Sequence, residues 1–212
     1  QTANWSTEYY LKVNSPHGTK TGEGWYSEGA SVTFSVSPTT IPEGSGARYV
    51  FIGWTGTGSG SYTGKDASHT VTMNNPITED ASWKTQYYLT TAENPDEGGD
   101  ISPAPPGAWY DSGTDASVDA TVNAGYQWTG WSGDLSGTTK PTTITMDGPK
   151  SVTANFGKEV QITVNTNPTG RTFTVDGTSY TAAQTFTWVE NSNHTLSVTS
   201  SQSGGTGTQY VY

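Results

Sequence analysis

The chain of 212 residues has no cysteine, so it has no disulfide framework, no thiolate metal site and no thiol nucleophile. Cations are few: nine Lys and Arg stand against nineteen Asp and Glu, for a formal charge of −10. Those nine are scattered and form no basic stripe, which argues against nucleic acid or an anionic membrane surface as partner. No apolar run approaches the ~18–20 residues of a membrane span, and no signal peptide is present, so no membrane insertion is expected within this segment. Large aliphatic and Phe side chains are also scarce. Leu, Ile, Val and Phe supply 29 of the 212 residues, below the roughly 20% at which disorder becomes the usual reading. Eight Trp and twelve Tyr point the other way. They are too many for a solvating tail, and each buried ring carries a large area. A folded chain with several small cores is expected, not one large core.

What is present in abundance is self-similarity, which has to be read before any fold is assigned. "DASWKTQYYLT" at 80–90 repeats "TANWSTEYYLK" at 2–12, and "TANFGKEVQIT" at 153–163 follows as a third copy. Between these marks, Trp25-Tyr26 matches Trp109-Tyr110, "YVFIGWTG" at 49–56 matches "YQWTGWSG" at 126–133, and "TVTMNNP" at 70–76 matches "TITMDGP" at 143–149. The matches occur in the same order in both units, as in a duplicated module.

Within each unit, short runs alternate with period two and are separated by Gly, Pro, Asn and Asp clusters. Val32, Phe34 and Val36 share one face, while Ser31, Thr33 and Ser35 share the other. In the second unit strands are predicted near 86–92, 116–122, 126–131, 142–146 and 151–156. No window holds a helical stripe. The expected fold class is all-β: tandem small antiparallel β-sandwich repeats, Ig-like or grasp-like, in an extended array joined by linkers of two or three residues. The boundaries read as residues 1–7, a closing strand of a preceding repeat or a free N-terminal strand; 8–84, the first repeat; 85–157, the second; and 158–212, a different β module. In this last module Asp176-Gly177 between strand runs is a hairpin signal, because the pair accepts positive φ.

The segment "YQWTGWSGDLSGTTKPTTITMDGPKSVTANF" at 126–156, with "YVFIGWTG", "HTVTMNNP" and "ASW" of the first unit, resembles the divergent InlB B-repeat type of bacterial and archaeal surface-protein repeat. The resemblance covers about residues 8–157. Residues 158–212, through "NPTGRTFTVDGTSY" and "NHTLSV", resemble a PEGA-type module. The resemblance implies small β repeats acting as spacers or adhesive modules of secreted or cell-surface proteins, with no catalytic residue set to carry over. It places the chain outside the cell, on the surface of a bacterium or archaeon.

Candidate chemistry is sparse. The acids sit in turns and differ between matched positions, as with Glu79-Asp80 against Val152-Thr153, so no glycosidase pair is expected. Asp96, Glu97 and Asp100 on a Gly-rich loop supply hard oxygen ligands of the kind Ca²⁺ takes, without the ligand spacing of an EF-hand. Solvated turn acids are the bland reading, and calcium is the one cofactor considered. His17, His69 and His194 lie far apart, and no Ser-His-Asp arrangement is visible. Asn4-Trp-Ser6 and Asn193-His-Thr195 are glycosylation sequons. Trp54 and Trp131 are expected as core anchors. Trp25, Tyr26, Trp109 and Tyr110 flank turns, where they either stack on sugars or pack at the junction between repeats.

Two functions follow as expectations. One is a non-catalytic structural or adhesive segment, a stalk or surface filament, whose partners are neighbouring repeats or copies of itself. Here Thr2, Ala3, Asn4 and Trp5 of one copy would complete the third module, at Tyr210, Val211 and Tyr212, of the next in head-to-tail strand complementation. An excised slice with arbitrary ends explains the same frame. The other function is a carbohydrate-binding accessory region of a secreted polysaccharide-active enzyme.

Overall fold

Alternating burial along each strand follows the period-two pattern of the sequence. In the run Ala30–Ser37 the residues Val32, Phe34 and Val36 are buried, and in Asp115–Val122 the buried residues are Ala116, Val118 and Ala120. A computed structural model describes residues 1–212. The first repeat contains β1 (Glu8–Asn14), β2 (Thr19–Thr21), β3 (Gly24–Ser27), β4 (Ala30–Ser37), β5 (Thr40–Pro42), β6 (Ala47–Thr57), β7 (Ser68–Met73) and the start of β8 (Ile77–Asn94). A single 3₁₀ turn at Asp96–Gly98 follows, then β9 (Gly99–Ser102), β10 (Gly107–Asp111), β11 (Asp115–Val122), β12 (Tyr126–Gly133), β13 (Thr142–Thr145) and β14 (Lys150–Val164). The rest comprises β15 (Phe173–Val175), β16 (Thr178–Tyr180), β17 (Gln184–Val189), β18 (Leu196–Val198), β19 (Gln202–Gly205) and β20 (Thr208–Tyr210). The chain is thus nearly all β, in several small sheets, as the sequence pattern predicts.

Two compact units emerge, one of residues 1–91, 106–118 and 142–152, the other of 92–105, 119–141 and 153–212. In the first unit, β2, β4 and β7 make one antiparallel sheet. Facing it, β5, β6, β8, β1 and β3 make a second. Leu11, Val13, Val32, Phe34, Val36, Trp54, Val71, Met73 and Ile77 from the two sheets form a single buried cluster. The β1–β8 pairing departs from the antiparallel expectation. β1 runs parallel to β8, with Leu11 opposite Ile77 and Asn14 opposite Asp80. A parallel pair needs a long crossover, and the whole of β2–β7 supplies it.

Why each repeat carries a Gly-Trp pair is visible in β6 and β12. β6 bulges between Phe51 and Gly53, and Gly53 has φ 148°. A Cβ there would lie 2.6 Å from the Gly64 carbonyl oxygen. That close approach lets Trp54 and Gly64 exchange backbone hydrogen bonds of 2.7 and 3.2 Å. Gly130, with φ 131°, meets Gly137 in the same way, and Trp131 N donates to Gly137 O at 2.8 Å. The bulge turns the next side chain inward. Trp54 is consequently 2% exposed and meets Phe34 edge-on at 5.0 Å, and Trp131 is buried as well.

In the second unit β9 pairs with β11, β14 with β17, and β15 with both β16 and β18. The Asp176-Gly177 hairpin forms as predicted, with φ 48° and 82° at the two turn residues. Rings from Phe173 through Tyr180, Phe186 and Trp188 to His194 contact one another in series. His194 Nδ1 lies 2.6 Å from Asp176 Oδ2, and that contact, together with the Thr195 N–H, holds the Asp176 carboxyl below its ordinary value.

Because Phe34 is fully buried in a small cluster, Phe34→Ala removes both its transfer energy and its contacts with Trp54. The expected loss is about 3–5 kcal/mol, read as a lower urea midpoint for the first repeat.

Candidate functional site

The predicted linker between the first two repeats is absent. β8 runs through the expected boundary without a break, because "SWKTQYYL" continues the same alternation from one unit into the next. One stretch of this strand pairs with β6, from Ala47 opposite Tyr87 to Thr57 opposite Thr78. Its continuation pairs with β10, where Tyr88 faces Trp109, Tyr87 faces Tyr110 and Gln86 faces Asp111. β14 likewise passes without a linker across residues 157 and 158.

Charged and aromatic side chains converge where β6 and β10 flank β8. The Arg48 guanidinium carbon lies 4.1 Å above the Trp109 ring, and its Nε donates to Gln86 Oε1 at 2.9 Å. Gln86 Nε2 in turn donates to Asp111 Oδ1 at 2.7 Å, and Lys84 Nζ reaches Asp111 Oδ2 at 2.9 Å. Lys84, then Gln86, holds the Asp111 carboxyl below its ordinary range. Tyr88 meets Trp109 at 5.1 Å and 62°, and its backbone N–H donates to Gly46 O. The half-exposed Lys84–Asp111 pair adds little by itself. A guanidinium on a half-buried indole contributes roughly 0.5–2 kcal/mol. Sequence reading singled out Trp109 and Tyr110, for sugar stacking or for packing between repeats, but missed Arg48, Lys84 and Gln86. The available signal was that position 48 has no cationic match in the second repeat, where Gly125 stands.

Trp25 and Tyr26 occupy the equivalent places on β3, opposite Tyr10 and Tyr9. Tyr10 and Trp25 meet at 5.2 Å and 59°. Trp25 remains 66% exposed, whereas Tyr26 packs against the core and donates its hydroxyl to Gly22 O. The acids proposed for calcium do not gather. Asp96 and Glu97 lie in the 3₁₀ turn, Asp100 lies on β9, and no three acidic or histidine side chains cluster in a way that suits a metal. The glycines of that loop have a packing reason: a Cβ on Gly98 or Gly99 would strike the Phe156 ring. Thr2, Ala3, Asn4 and Trp5 lie in no strand and are exposed, Trp5 to 95%. Trp83, the residue that matches Trp5, is half-buried and packs on Phe51 and His17. Tyr210 ends β20 with Arg171 above its ring, and Val211 and Tyr212 are exposed.

Glu79 is the one buried carboxylate, with no exposed surface. Its Oε1 accepts the Tyr62 N–H at 2.8 Å, while Oε2 has no partner. Burial, with a further contribution from the Asp80 charge, raises its pKa despite the Tyr62 hydrogen bond. The matched residue of the second repeat is Val152, so the position belongs to the core, and the acid is peculiar to this copy.

Contrary to the sequence expectation, one Ser-His-Asp series does form, with Ser192 Oγ 2.8 Å from His194 Nε2 and His194 Nδ1 2.6 Å from Asp176 Oδ2, and it lies among exposed side chains of the third module. A nearly all-β chain of small duplicated sandwiches, with aromatic and ionic contacts at the junction, defines a repeat protein. This chain belongs to the divergent InlB B-repeat domain family, which matches residues 9–86 and 89–160. That family is a non-enzymatic repeat domain of surface proteins, and a structural segment fits it. No curated protein and no solved structure matches the chain. No helix is long and apolar enough to cross a membrane.

A carboxyl whose folded pKa is raised stabilises fully below its unfolded value, and that contribution is lost as pH rises through the folded one. Glu79→Gln keeps the acceptor for Tyr62 N and removes this loss. The variant is expected to match the parent near about pH 3, below the ordinary glutamate value of about 4.3, and to exceed it in thermal stability at about pH 8. Melting curves across that range check the difference.

Proposed function

We propose that this chain is a non-catalytic structural segment of an extracellular, cell-surface repeat protein, in which strand-continuous junctions hold successive repeats in register. The observation that carries this reading is β8, one strand that closes the first repeat and opens the second while Arg48 caps Trp109 across it. Each repeat has a small core of its own, so stability in such an array is a sum of repeat and nearest-neighbour terms. A welded junction contributes where a flexible linker would not. Residues 158–212 act in this reading as a PEGA-like module that follows the two repeats.

Two finer readings have observations behind them. The exposure of Trp25 supports a carbohydrate-binding accessory role, since an indole face left open is a sugar platform. The exposure of Trp5 and Tyr212 supports head-to-tail strand complementation, since residues 2–5 lie in no strand and Val211 and Tyr212 lie beyond the end of β20. Removing residues 1–7 is expected to abolish any concentration-dependent assembly seen by sedimentation, and unchanged assembly rejects that role for the segment.

The structural reading predicts an elongated particle in solution scattering. A compact chain of this length has a radius of gyration of about 17 Å. A value clearly above that is expected, and a value at it overturns the spacer role.

A further inference from the structure

We propose that Glu8, Tyr10 and Trp25 form the receiving half of a second junction, whose occupant is a repeat of this same kind, placed in series before Glu8 and carrying an arginine at the position of Arg48. The proposal rests on the structural reading above and names the partner of a surface that reading leaves open.

The template is the junction already present. Tyr10 faces Trp25, Tyr9 faces Tyr26 and Glu8 faces Ser27, rung for rung as Tyr88 faces Trp109, Tyr87 faces Tyr110 and Gln86 faces Asp111. The Tyr–Trp ring geometry repeats, at 5.2 Å and 59° against 5.1 Å and 62°. So do the turn bonds: Glu28 N donates to Thr7 O at 3.0 Å and Ser112 N to Thr85 O at 2.9 Å. Gly29 N donates to Met73 O at 2.8 Å, and Gly113 N to Met146 O at 2.9 Å. The two platforms differ in what covers them. Trp109 lies beneath Arg48, and Trp25 lies open.

Two further observations say that the missing cover is a cation. Where β14 opens the third module, Gly125 replaces Arg48 and donates no side chain, while its carbonyl accepts the Glu159 N–H. There the Tyr–Trp rung is gone as well, and Gln161 faces Thr187. At the two junctions within the chain, the arginine and the Tyr–Trp rung are thus both present or both absent. The charge is also kept. In the rung Gln86–Asp111 the carboxylate stands on β10, and in the rung Glu8–Ser27 it stands on β1. A guanidinium over Trp25 would meet Glu8 where Arg48 meets Gln86, with the added attraction of a full negative charge.

The test extends the full chain by one repeat, residues 1–85 followed by 8–212, which sets the added Arg48 one period before Trp25. The added copy carries Trp25→Phe, so a single Trp25 is read. Hydroxyl-radical footprinting with mass spectrometry is expected to show about fivefold protection of that Trp25 relative to the unextended chain. Most of it is lost when the added copy carries Arg48→Ala. Trp109, whose own cover is unchanged throughout, reports that the repeats remain folded. Trp25 as reactive in the extended chain as in the original overturns the proposal, and so does protection that survives Arg48→Ala. Protection of Trp25 in the unextended chain by a mixture of cello-, xylo- and chito-oligosaccharides also overturns it and assigns the platform to sugar. An elongated particle with an unprotected Trp25 rejects this docking alone, whereas a compact particle with a protected Trp25 rejects the spacer reading alone.

Discussion

One tryptophan per repeat, set between two sheets by a glycine bulge, is the contact on which the rest of the structure depends. Trp54 is the largest of the fully buried side chains, in a cluster otherwise made of Phe34, Met73 and smaller aliphatic residues. Its placement needs Gly53, because only a residue without a Cβ lets the Gly64 strand approach closely enough to pair with Trp54. The second repeat uses Gly130, Trp131 and Gly137 in the same roles and adds a bond from the indole Nε1 to Thr139 O. The first repeat leaves the indole Nε1 of Trp54 without a partner. Similar backbones thus carry the ring with different polar satisfaction, and a buried donor without a partner costs stability.

Small cores make the junctions matter. A module with a modest hydrophobic core gains in proportion more from what its neighbour contributes than a large domain does. At the first junction the neighbour contributes a strand that does not end, an arginine over an indole and an acid held by Lys84 and Gln86. At the second, within the other unit, Val160 faces Trp188 instead and Gly157 packs against Val189. Here Trp188 turns to His194, which stacks on it at 3.9 Å and reaches Asp176. The same strand-through design therefore carries different side chains at its two junctions, Arg48 over Trp109 at one and Val160 opposite Trp188 at the other.

Much of the fold was legible in the residues. The alternation of Val32, Phe34 and Val36 gave the buried face of β4, the repeated Gly-Trp gave the core rings, and Asp176-Gly177 gave a hairpin. The candidate site was legible only in part. Trp25 and Trp109 occupy matched positions and read alike in sequence, yet one ring is open and the other covered, because the cover comes from Arg48 about sixty residues earlier in the chain. The acids at 96, 97 and 100 looked like a ligand loop, since composition cannot tell a glycine kept for flexibility from one kept so that Phe156 can pack against it.

What the sequence by itself determined is therefore the local and the periodic: an all-β chain, duplicated, with known inward faces and a tryptophan at each centre. These follow from alternation, turn residues and self-similarity, all of which act over a few residues. Only the tertiary structure decided that β1 runs parallel to β8, that the strands continue through the repeat boundaries, that Glu79 is buried with an unpaired oxygen and that Arg48 lies on Trp109. Each of these depends on which distant strand becomes a neighbour. A period of two reports which face a side chain takes, but not what comes to lie against that face.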